Sequence, residues 1–136
     1  MTETFRLLPL LDDGNTPFWT GGEHGELRFW RCQDCRWWLH PAGPRCPVCL
    51  SKALAVEAAS GRATVHTFTI NHQAFMPGPE LPFVIAIVEL PEQAGLRLTT
   101  NVVGIEPDDV RIGMDVEVRF EHHDDVWIPL FRPVPG

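Results

Sequence analysis

Two cysteine pairs constrain this chain more than any other feature of its sequence. Cys32 and Cys35 form one Cys-x2-Cys pair, Cys46 and Cys49 form a second, and ten residues separate the pairs. Two residues between cysteines allow a tight turn to direct both sulfurs at one ion, and two such turns complete a tetrahedral four-thiolate site. The spacing therefore predicts a zinc ribbon whose Zn²⁺ is structural, because four protein ligands leave no coordination position for water.

Three other arrangements of these cysteines fit parts of the pattern. Two disulfides require an oxidising compartment, whereas the first ten residues lack the basic start and the unbroken apolar core of a signal peptide, which favours a cytoplasmic setting. A redox-active pair would explain one motif but not the second. Iron with the same four ligands stays open as an alternative to zinc, because both metals accept a tetrahedral thiolate set.

The composition favours a mostly β fold. Thirteen prolines and eleven glycines in 136 residues, without long helical periodicity, indicate short strands joined by turns. A chain of this length can bury one moderate core, whereas a ribbon of about 35 residues has little core of its own. The longest apolar run, Phe83 to Val88, is too short to span a bilayer, so we expect a soluble protein without membrane contact.

Residues 1–24 are predicted to form an N-terminal arm with a short helix, and residues 25–59 to form the ribbon. Thr16 resembles an N-cap with Pro17 at the first helical position, and Gly21-Gly22 would stop the helix after one turn. The predicted ribbon strands are Glu26 to Arg31, Trp37 to His40 and Ala53 to Ala58. A helix is the alternative for Ser51 to Ala59, since Ala, Leu, Lys and Glu favour it.

Residues 60–136 are predicted to form a five-stranded barrel of the OB type. The predicted strands are Ala63 to Ile70, Pro82 to Leu90, Leu96 to Val103, Asp115 to Phe120 and Val126 to Phe131, with a short helical turn near Glu106 to Val110. Alternation in the fourth strand places Val116, Val118 and Phe120 on the inner face. The second strand lacks alternation, which predicts that both of its faces are covered. Pro129 predicts an edge or an irregular end for the last strand.

Charge is distributed unevenly along the chain, whose formal net charge is −7. Residues 25–62 carry +3, and residues 63–136 carry −7. The basic residues near the cysteines have two interpretations. They offset the net negative charge of a zinc ion bound to four thiolates, or they form an anion-binding surface. The arginines concerned are Arg28, Arg31, Arg36 and Arg45.

Two groups of apolar side chains have both a structural and a functional interpretation. Trp30, Trp37 and Trp38 flank the cysteine pairs, where shielding of the metal is favoured over a platform for ligand stacking. Phe75 and Met76 lie in the loop between the first two barrel strands, and adaptable apolar side chains between prolines suit a protein or lipid-like surface. The alternative is a loop folded back on its own barrel.

An ordered series of motifs along nearly the whole chain resembles one family. The motifs are Pro17-Phe-Trp19, Gly25-Glu-Leu27, Arg31-Cys-x2-Cys35, His40-Pro41, Cys46-Pro-x-Cys49, Ser60-Gly-Arg62, Thr64-Val-x-Thr-Phe68, Leu81-Pro-Phe83, Val110-Arg-Ile-Gly-Met114 and Phe131-Arg-Pro133. The sequence is similar to the acyl-CoA-associated zinc-ribbon/OB-fold family, long catalogued as a domain of unknown function. This resemblance implies an N-terminal helical segment, a rubredoxin-like ribbon and a C-terminal OB barrel. One departure is Arg36, which stands where many family members carry glycine.

The resemblance also implies a function. Family members act as partners of thiolase-superfamily enzymes, and some are accessory domains of aldolases that cleave steroid side chains as CoA thioesters. We therefore expect a non-catalytic accessory subunit or domain that binds an acyl-CoA enzyme. The four arginines would lie near the CoA phosphates, and Phe75 and Met76 near the acyl path or the partner. The alternative is a nucleic-acid-binding module, which an OB fold suggests but the acidic barrel opposes.

Independent catalysis has little support in the sequence. Four histidines are candidate bases, but no Ser, Cys or carboxylate beside them stands in a recognisable nucleophile context. The histidines are His66, His72, His122 and His123. We therefore expect no measurable activity from the chain alone.

Overall fold

A computed structural model describes residues 8–40, 42–73 and 81–135 of the chain. A short helix, α1, covers Thr16–Thr20, and 3-10 turns cover Gly21–His24 and Pro107–Asp109. The strands are β1 (Leu27–Cys32), β2 (Trp38–Leu39), β3 (Leu54–Ala59), β4 (Arg62–Asn71), β5 (Phe83–Glu89), β6 (Arg97–Val102), β7 (Asp115–His123) and β8 (Val126–Pro133). No helix among the described residues is long and apolar enough to cross a membrane.

The ribbon is a three-stranded antiparallel sheet in the order β2-β1-β3. Strand β3 pairs with the full length of β1, from Leu27 opposite Ala59 to Cys32 opposite Leu54. The strand prediction for this segment is therefore confirmed and the helical alternative is wrong. Backbone pairing with β1 outweighs the helix propensity of Ala, Leu and Glu, which is on the order of 0.5 kcal/mol per residue.

The second sheet is a closed barrel with strand order β4-β5-β6-β8-β7, as predicted for the OB type. Every pairing is antiparallel except that of β6 with β8, which is parallel and consists of Val102 opposite Phe131. Strand β8 has neighbours on both sides, so Pro129 does not mark an edge strand. The carbonyl of Pro129 accepts a hydrogen bond of 2.8 Å from the Thr100 hydroxyl, in the irregular contact between β6 and β8.

Burial along the barrel strands follows alternation. In β7, Val116 is fully buried, and Val118 and Phe120 pack against the core, as predicted. The prediction for β5 is wrong. Its inner face is buried, whereas Ile85 on its outer face is 36% exposed. The apolar run therefore forms an ordinary barrel wall with one face toward solvent, on which Phe83 and Ile87 are half-buried and Ile85 is exposed.

One apolar core connects the ribbon and α1 to the barrel. Phe18 of α1, Leu27 and Phe29 of β1 and Trp38 of β2 are buried in the same cluster as the inner residues of the barrel. Phe18 makes ring contacts with Trp19 and Phe29, with centroid separations of 4.8 Å and 5.6 Å. The short helix therefore fills the junction between the two sheets.

The start of α1 differs from the sequence prediction by one residue, and its end agrees with it. The N-cap is Asn15, and Thr16 is the first helical residue. The helix ends at Thr20 with Gly21 as its C-cap, and Gly21 and Gly22 begin the 3-10 turn, which ends at His24 and is capped by Gly25 with φ of 71°. A Cβ at Gly21 would lie 2.3 Å from the Glu26 carbonyl oxygen, and one at Gly22 would lie 2.4 Å from Trp127. These glycines permit close packing.

Candidate functional site

Two turns of the ribbon hold the four cysteines. Cys32 is the last residue of β1, and its N–H donates to the Trp37 carbonyl at 2.8 Å. In the second turn, the N–H of Cys46 donates to the Ser51 carbonyl at 2.9 Å. These bonds close both turns in the same way, which directs all four sulfurs to one place.

The four sulfurs are arranged to hold a metal ion. The four Sγ atoms all lie within 4.8 Å of one another. Two of the separations are 3.5 Å between Cys32 and Cys49 and 3.4 Å between Cys35 and Cys46. A tetrahedral zinc site with Zn–S bonds of about 2.3 Å places its sulfurs about 3.8 Å apart. The thiol set and its spacing therefore fit a tetrahedral thiophilic metal.

Backbone amides prepare the first cysteine of each pair for ionisation. The N–H of Cys35 donates to the Cys32 sulfur at 3.4 Å and lowers the pKa of Cys32 to about 6. Burial opposes ionisation of Cys46, but the N–H groups of Cys49 and Val48 outweigh it and lower that pKa too. The N–H of Trp37 favours the Cys35 thiolate, yet burial and the adjacent sulfurs raise the pKa of Cys35 to about 12. A bound cation would have to displace the remaining protons.

The residue that follows each cysteine pair has a left-handed backbone. Arg36 has φ of 69° and Leu50 has φ of 65°, so the two turns share one geometry although neither carries glycine there. This conformation costs about 1–2 kcal/mol for a residue with a side chain. The departure at Arg36 noted in the sequence thus leaves the turn intact and makes it strained.

Arg31 and Arg36 converge on one carboxylate. Arg36 contacts Oε1 of Glu57 at 3.0 Å, and Arg31 contacts the same oxygen at 3.4 Å. A hydrogen bond from Gln33, followed by the two guanidinium groups, lowers the pKa of Glu57. The Arg31 guanidinium also lies 4.4 Å from the ring centroid of Trp38. Two positive charges and one negative charge leave this group of side chains net positive.

Arg28 and Arg45 lie apart from that group. Arg28 pairs with Glu26 at 2.6 Å, and Arg45 donates to the Leu50 carbonyl at 3.3 Å. The structure therefore brings two of the four predicted arginines together and places the other two at separate positions. Phe75 and Met76, the predicted acyl or partner contacts, lie outside the described residues.

The tryptophans divide between packing and exposure. Trp30 packs against the buried cysteines and donates its indole N–H to the Gly14 carbonyl at 2.7 Å. Trp38 is buried and meets Phe29 edge-on, with ring centroids 6.3 Å apart. Trp37 is 36% exposed. Trp30 thus serves the shielding role that the sequence favoured, whereas Trp38 belongs to the core shared with the barrel.

The sequence prediction missed two residues that organise this region. Glu57 pairs with both Arg31 and Arg36. It is the only carboxylate in β3, and this feature of the sequence could have identified it as an ion-pair partner. Gln93, in the turn between β5 and β6, binds both backbone groups of Trp38, with distances of 2.8 Å and 3.0 Å. No sequence signal identifies Gln93, because its partner lies 55 positions earlier in the chain.

The chain resembles known proteins in its barrel and along most of its length. Residues 56–121 match the family model described as the C-terminal OB-fold domain of ChsH2. A DUF35 domain-containing scaffold protein from Methanocaldococcus jannaschii is 39% identical over 113 residues, which cover 76% of this chain and 79% of that protein.

Two further relatives are named as parts of enzymes, a CoA hydratase and an aldolase. The 3-oxo-4,17-pregnadiene-20-carboxyl-CoA hydratase alpha subunit of Mycobacterium tuberculosis is 38% identical over 116 residues, covering 85% of this chain and 36% of that subunit. The chain spans about two fifths of the length of the curated hydratase alpha subunits that it matches. A chain of the solved Ltp2-ChsH2(DUF35) aldolase is 36% identical with a TM-score of 0.83, and the match covers 93% of this chain and 98% of that one.

Proposed function

The chain belongs to the DUF35 family, and we propose that it is a non-catalytic accessory subunit or domain of a thiolase-superfamily enzyme that acts on acyl-CoA. The observation that carries this proposal is the likeness to a chain of the Ltp2-ChsH2(DUF35) aldolase, which extends over 98% of that chain. The scaffold name of the archaeal relative supports a role in binding other proteins. The pregnadiene-carboxyl-CoA relative and the aldolase together favour a retro-aldolase in steroid side-chain degradation.

The metal of this protein is proposed to be a structural zinc bound by Cys32, Cys35, Cys46 and Cys49. All four ligands come from the protein, so the ion would hold the two turns together without an open position for a substrate. Zinc would supply no chemistry here beyond cross-linking the ribbon. Its place at the end of β1 would fix the strand that also contributes Leu27 and Phe29 to the shared core.

The ribbon is proposed to supply positive charge to the CoA phosphates. Arg31 and Arg36 share Glu57 and keep a net positive charge, and Arg45 pairs with a carbonyl and no carboxylate among the described residues. Arg28 offers a further guanidinium on the same sheet. The acyl chain or the partner would meet Phe75 and Met76. A polyanion such as DNA would instead meet the −7 charge of residues 63–136, which opposes a nucleic-acid role.

The described histidines support a non-catalytic role. His122 stacks on Trp127 at 4.1 Å and contacts the Asp124 carbonyl, and His123 pairs with Glu121 at 2.7 Å. In the described part of the chain, no serine or cysteine side chain forms a hydrogen bond with a histidine. The arrangement lacks the paired nucleophile and base of covalent catalysis.

The test begins with co-purification of a tagged chain from its source, followed by identification of the bound enzyme. The isolated chain, the isolated enzyme and their mixture are then assayed for cleavage of a β-hydroxyacyl-CoA thioester with a steroid side chain. We expect turnover in the mixture, little from the enzyme alone and none from the chain alone. Turnover by the pure chain, or an enzyme indifferent to the chain, would contradict the accessory role.

Two pairs of substitutions locate the contacts within that complex. Arg36→Ala with Arg45→Ala is expected to weaken acyl-CoA binding and its dependence on salt, because exposed charge pairs are screened. Phe75→Ala with Met76→Ala is expected to weaken binding of the acyl group or of the partner. Arg119→Ala, on the outside of β7, is the matched control for lost charge. Unchanged, equally salt-sensitive CoA affinity in the arginine pair would place the phosphates on the partner.

A further inference from the structure

A cleft of about 450 Å³ opens where α1, the ribbon and β6 meet. Its walls include four aromatic side chains, two from α1 and two from β1, which are Phe18, Trp19, Phe29 and Trp30. The volume lies within the range of about 300–1,000 Å³ that is usual for small-molecule sites. All four of these aromatic residues belong to α1 and β1 of this chain.

The charged groups of the cleft all have one sign. Arg28 from β1 and Arg97 from β6 line it, and no carboxylate among the described residues does, although the whole chain carries a net charge of −7. Each arginine has one carboxylate partner, Glu26 for Arg28 and Glu89 for Arg97, and neither partner lines the cleft. Within the described residues, both terminal nitrogens of Arg97 and one of Arg28 make no hydrogen bond. These N–H groups are available to an anion.

His40 adds a neutral polar group to the aromatic wall. Its ring lies 4.9 Å from that of Phe18 and 5.2 Å from that of Phe29, and burial lowers its pKa. The imidazole is therefore neutral at pH 7 and offers one donor and one acceptor. The described residues provide neither ring nitrogen with a hydrogen-bond partner. A ligand oxygen or N–H in the cleft can fill that place.

The walls are held in position before any ligand arrives. The Trp30 indole is fixed by its hydrogen bond to the Gly14 carbonyl. The preceding turn is closed by two reciprocal bonds, from the Asp12 N–H to the Asn15 side chain at 2.8 Å and from the Asn15 N–H to the Asp12 carboxylate at 2.7 Å. A preformed site loses less conformational entropy on binding than one that must be assembled.

We propose that this cleft binds a small molecule with a flat apolar body and a single anionic group, of the aryl-carboxylate class. The flat body lies between the aromatic walls, and the anion meets the free N–H groups of Arg97 and Arg28. The inference goes beyond the accessory function and does not rest on it: the cleft shares Arg28 with the proposed CoA contacts, whereas Arg97, His40 and the aromatic wall take no part in them.

The test is a titration of the isolated, metal-loaded chain with 2-naphthoate. Binding is measured by calorimetry and by quenching of tryptophan fluorescence. We expect saturable binding at one site per chain. Arg97→Gln is expected to weaken it by roughly tenfold, the lower end for loss of a hydrogen bond to a charged group. The uncharged 2-naphthamide is expected to bind wild type more weakly by a similar factor. Arg119→Gln, which removes a charge outside the cleft, is expected to bind like wild type.

A second variant blocks the cleft without removing its charge. Ala42 lines the cleft and is exposed, so Ala42→Trp can fill the space without rearranging the core, and its thermal unfolding checks that the fold is kept. We expect this variant to lose binding. The proposal is overturned if 2-naphthoate shows no saturable binding to wild type, if Ala42→Trp binds it normally, or if the acid and the amide bind equally. Each result is obtained without partner or CoA, so failure here leaves the accessory function untouched.

Discussion

The ribbon and the barrel are both small β-sheets, but they are stabilised by different means. The buried cluster that belongs to the ribbon alone consists of Cys32, Leu39 and Cys46, with Trp30 and Leu54 packed against it. The barrel encloses the inner residues of five strands, many of them fully buried. Apolar burial at about 25 cal/mol per Å² can support the second arrangement but contributes little to the first. We therefore expect the ribbon to depend on the proposed metal and on the barrel.

The two regions depend on each other unequally. Leu27, Phe29 and Trp38 of the ribbon complete the barrel's core, and Gln93 of the barrel binds the backbone of Trp38. In contrast, the barrel strands pair only with one another, and the barrel is closed. We expect damage to the metal site to remain in the ribbon and damage to the barrel core to unfold both regions.

The largest expected effect comes from breaking the metal site. Cys46→Ser should abolish stoichiometric zinc, which contributes on the order of 10 kcal/mol to small zinc modules. Hydrogen exchange should then become fast in β1–β3 and remain slow in β4–β8, with zinc measured by elemental analysis. Val48→Ser, in the same turn and 59% exposed, is the control and should keep the metal. A variant that retains zinc, or that unfolds throughout, would refute this division of the molecule.

The next largest effect should come from the barrel core. Phe131 has no exposed surface, and Phe131→Ala should lower the free energy of unfolding by about 3–5 kcal/mol because it leaves a cavity. Urea unfolding, monitored separately in the ribbon and in the barrel, should show one common transition at a lower urea concentration than in wild type.

Ile85→Ala is the matched control on the outer face of β5. Its side chain is 36% exposed and loses less burial, so its effect should be smaller, about 1 kcal/mol. Similar losses for Phe131→Ala and Ile85→Ala would mean that the outer face of β5 is covered after all.

This contrast also explains what the sequence could predict. Runs of apolar and β-branched residues located all five barrel strands, and alternation, the period of two that a barrel wall imposes, identified the inner face of the fourth. The rule failed in β5, where the outward residues, including Ile85 and Ile87, are as apolar as the inward ones. At Gly21 the local pattern located the end of α1, but the close packing of Gly21 and Gly22 depends on Glu26 and Trp127, which a local pattern cannot include.

The site divides in the same way between local and distant information. The four cysteines could be recognised because a knuckle is a local motif with fixed spacing. The cleft could not, because it combines His40 with Arg97, residues that are distant in sequence and that meet only when the ribbon packs on the barrel. The pairing of Arg31 and Arg36 with Glu57 likewise depends on the register of β3 against β1.

A smaller effect is expected at the connection between the two regions. Gln93→Leu keeps the size of the side chain but leaves the N–H and the carbonyl of Trp38 without partners, which should cost about 2 kcal/mol. Thermal unfolding with ribbon and barrel probes should show the two transitions beginning to separate. Gln33→Leu, which removes a bond inside the ribbon, should leave them together. Coincident transitions in both variants would show that apolar packing alone couples the regions.

The smallest expected effect tests the strained turns of the ribbon. Leu50 is 64% exposed with a left-handed backbone, so Leu50→Gly removes about 1–2 kcal/mol of strain and little burial. Glycine has more conformational freedom in the unfolded chain, which lowers the free energy of unfolding by about 0.5–1 kcal/mol. The net gain in stability is therefore about 0.5 kcal/mol. Urea unfolding of the zinc-loaded protein measures this gain.

Arg36→Gly is the matched variant at the equivalent position of the first turn. It relieves the same strain, because φ of Arg36 is also positive, but it removes one of the two ion pairs of Glu57. An exposed pair contributes about 0–1 kcal/mol, so the gain seen at Leu50 should shrink toward zero. Equal gains in both turns would mean that the pair with Glu57 adds no stability and that Arg36 is free to serve a ligand. A loss at Leu50 would mean that the turn prefers the leucine side chain despite its exposure.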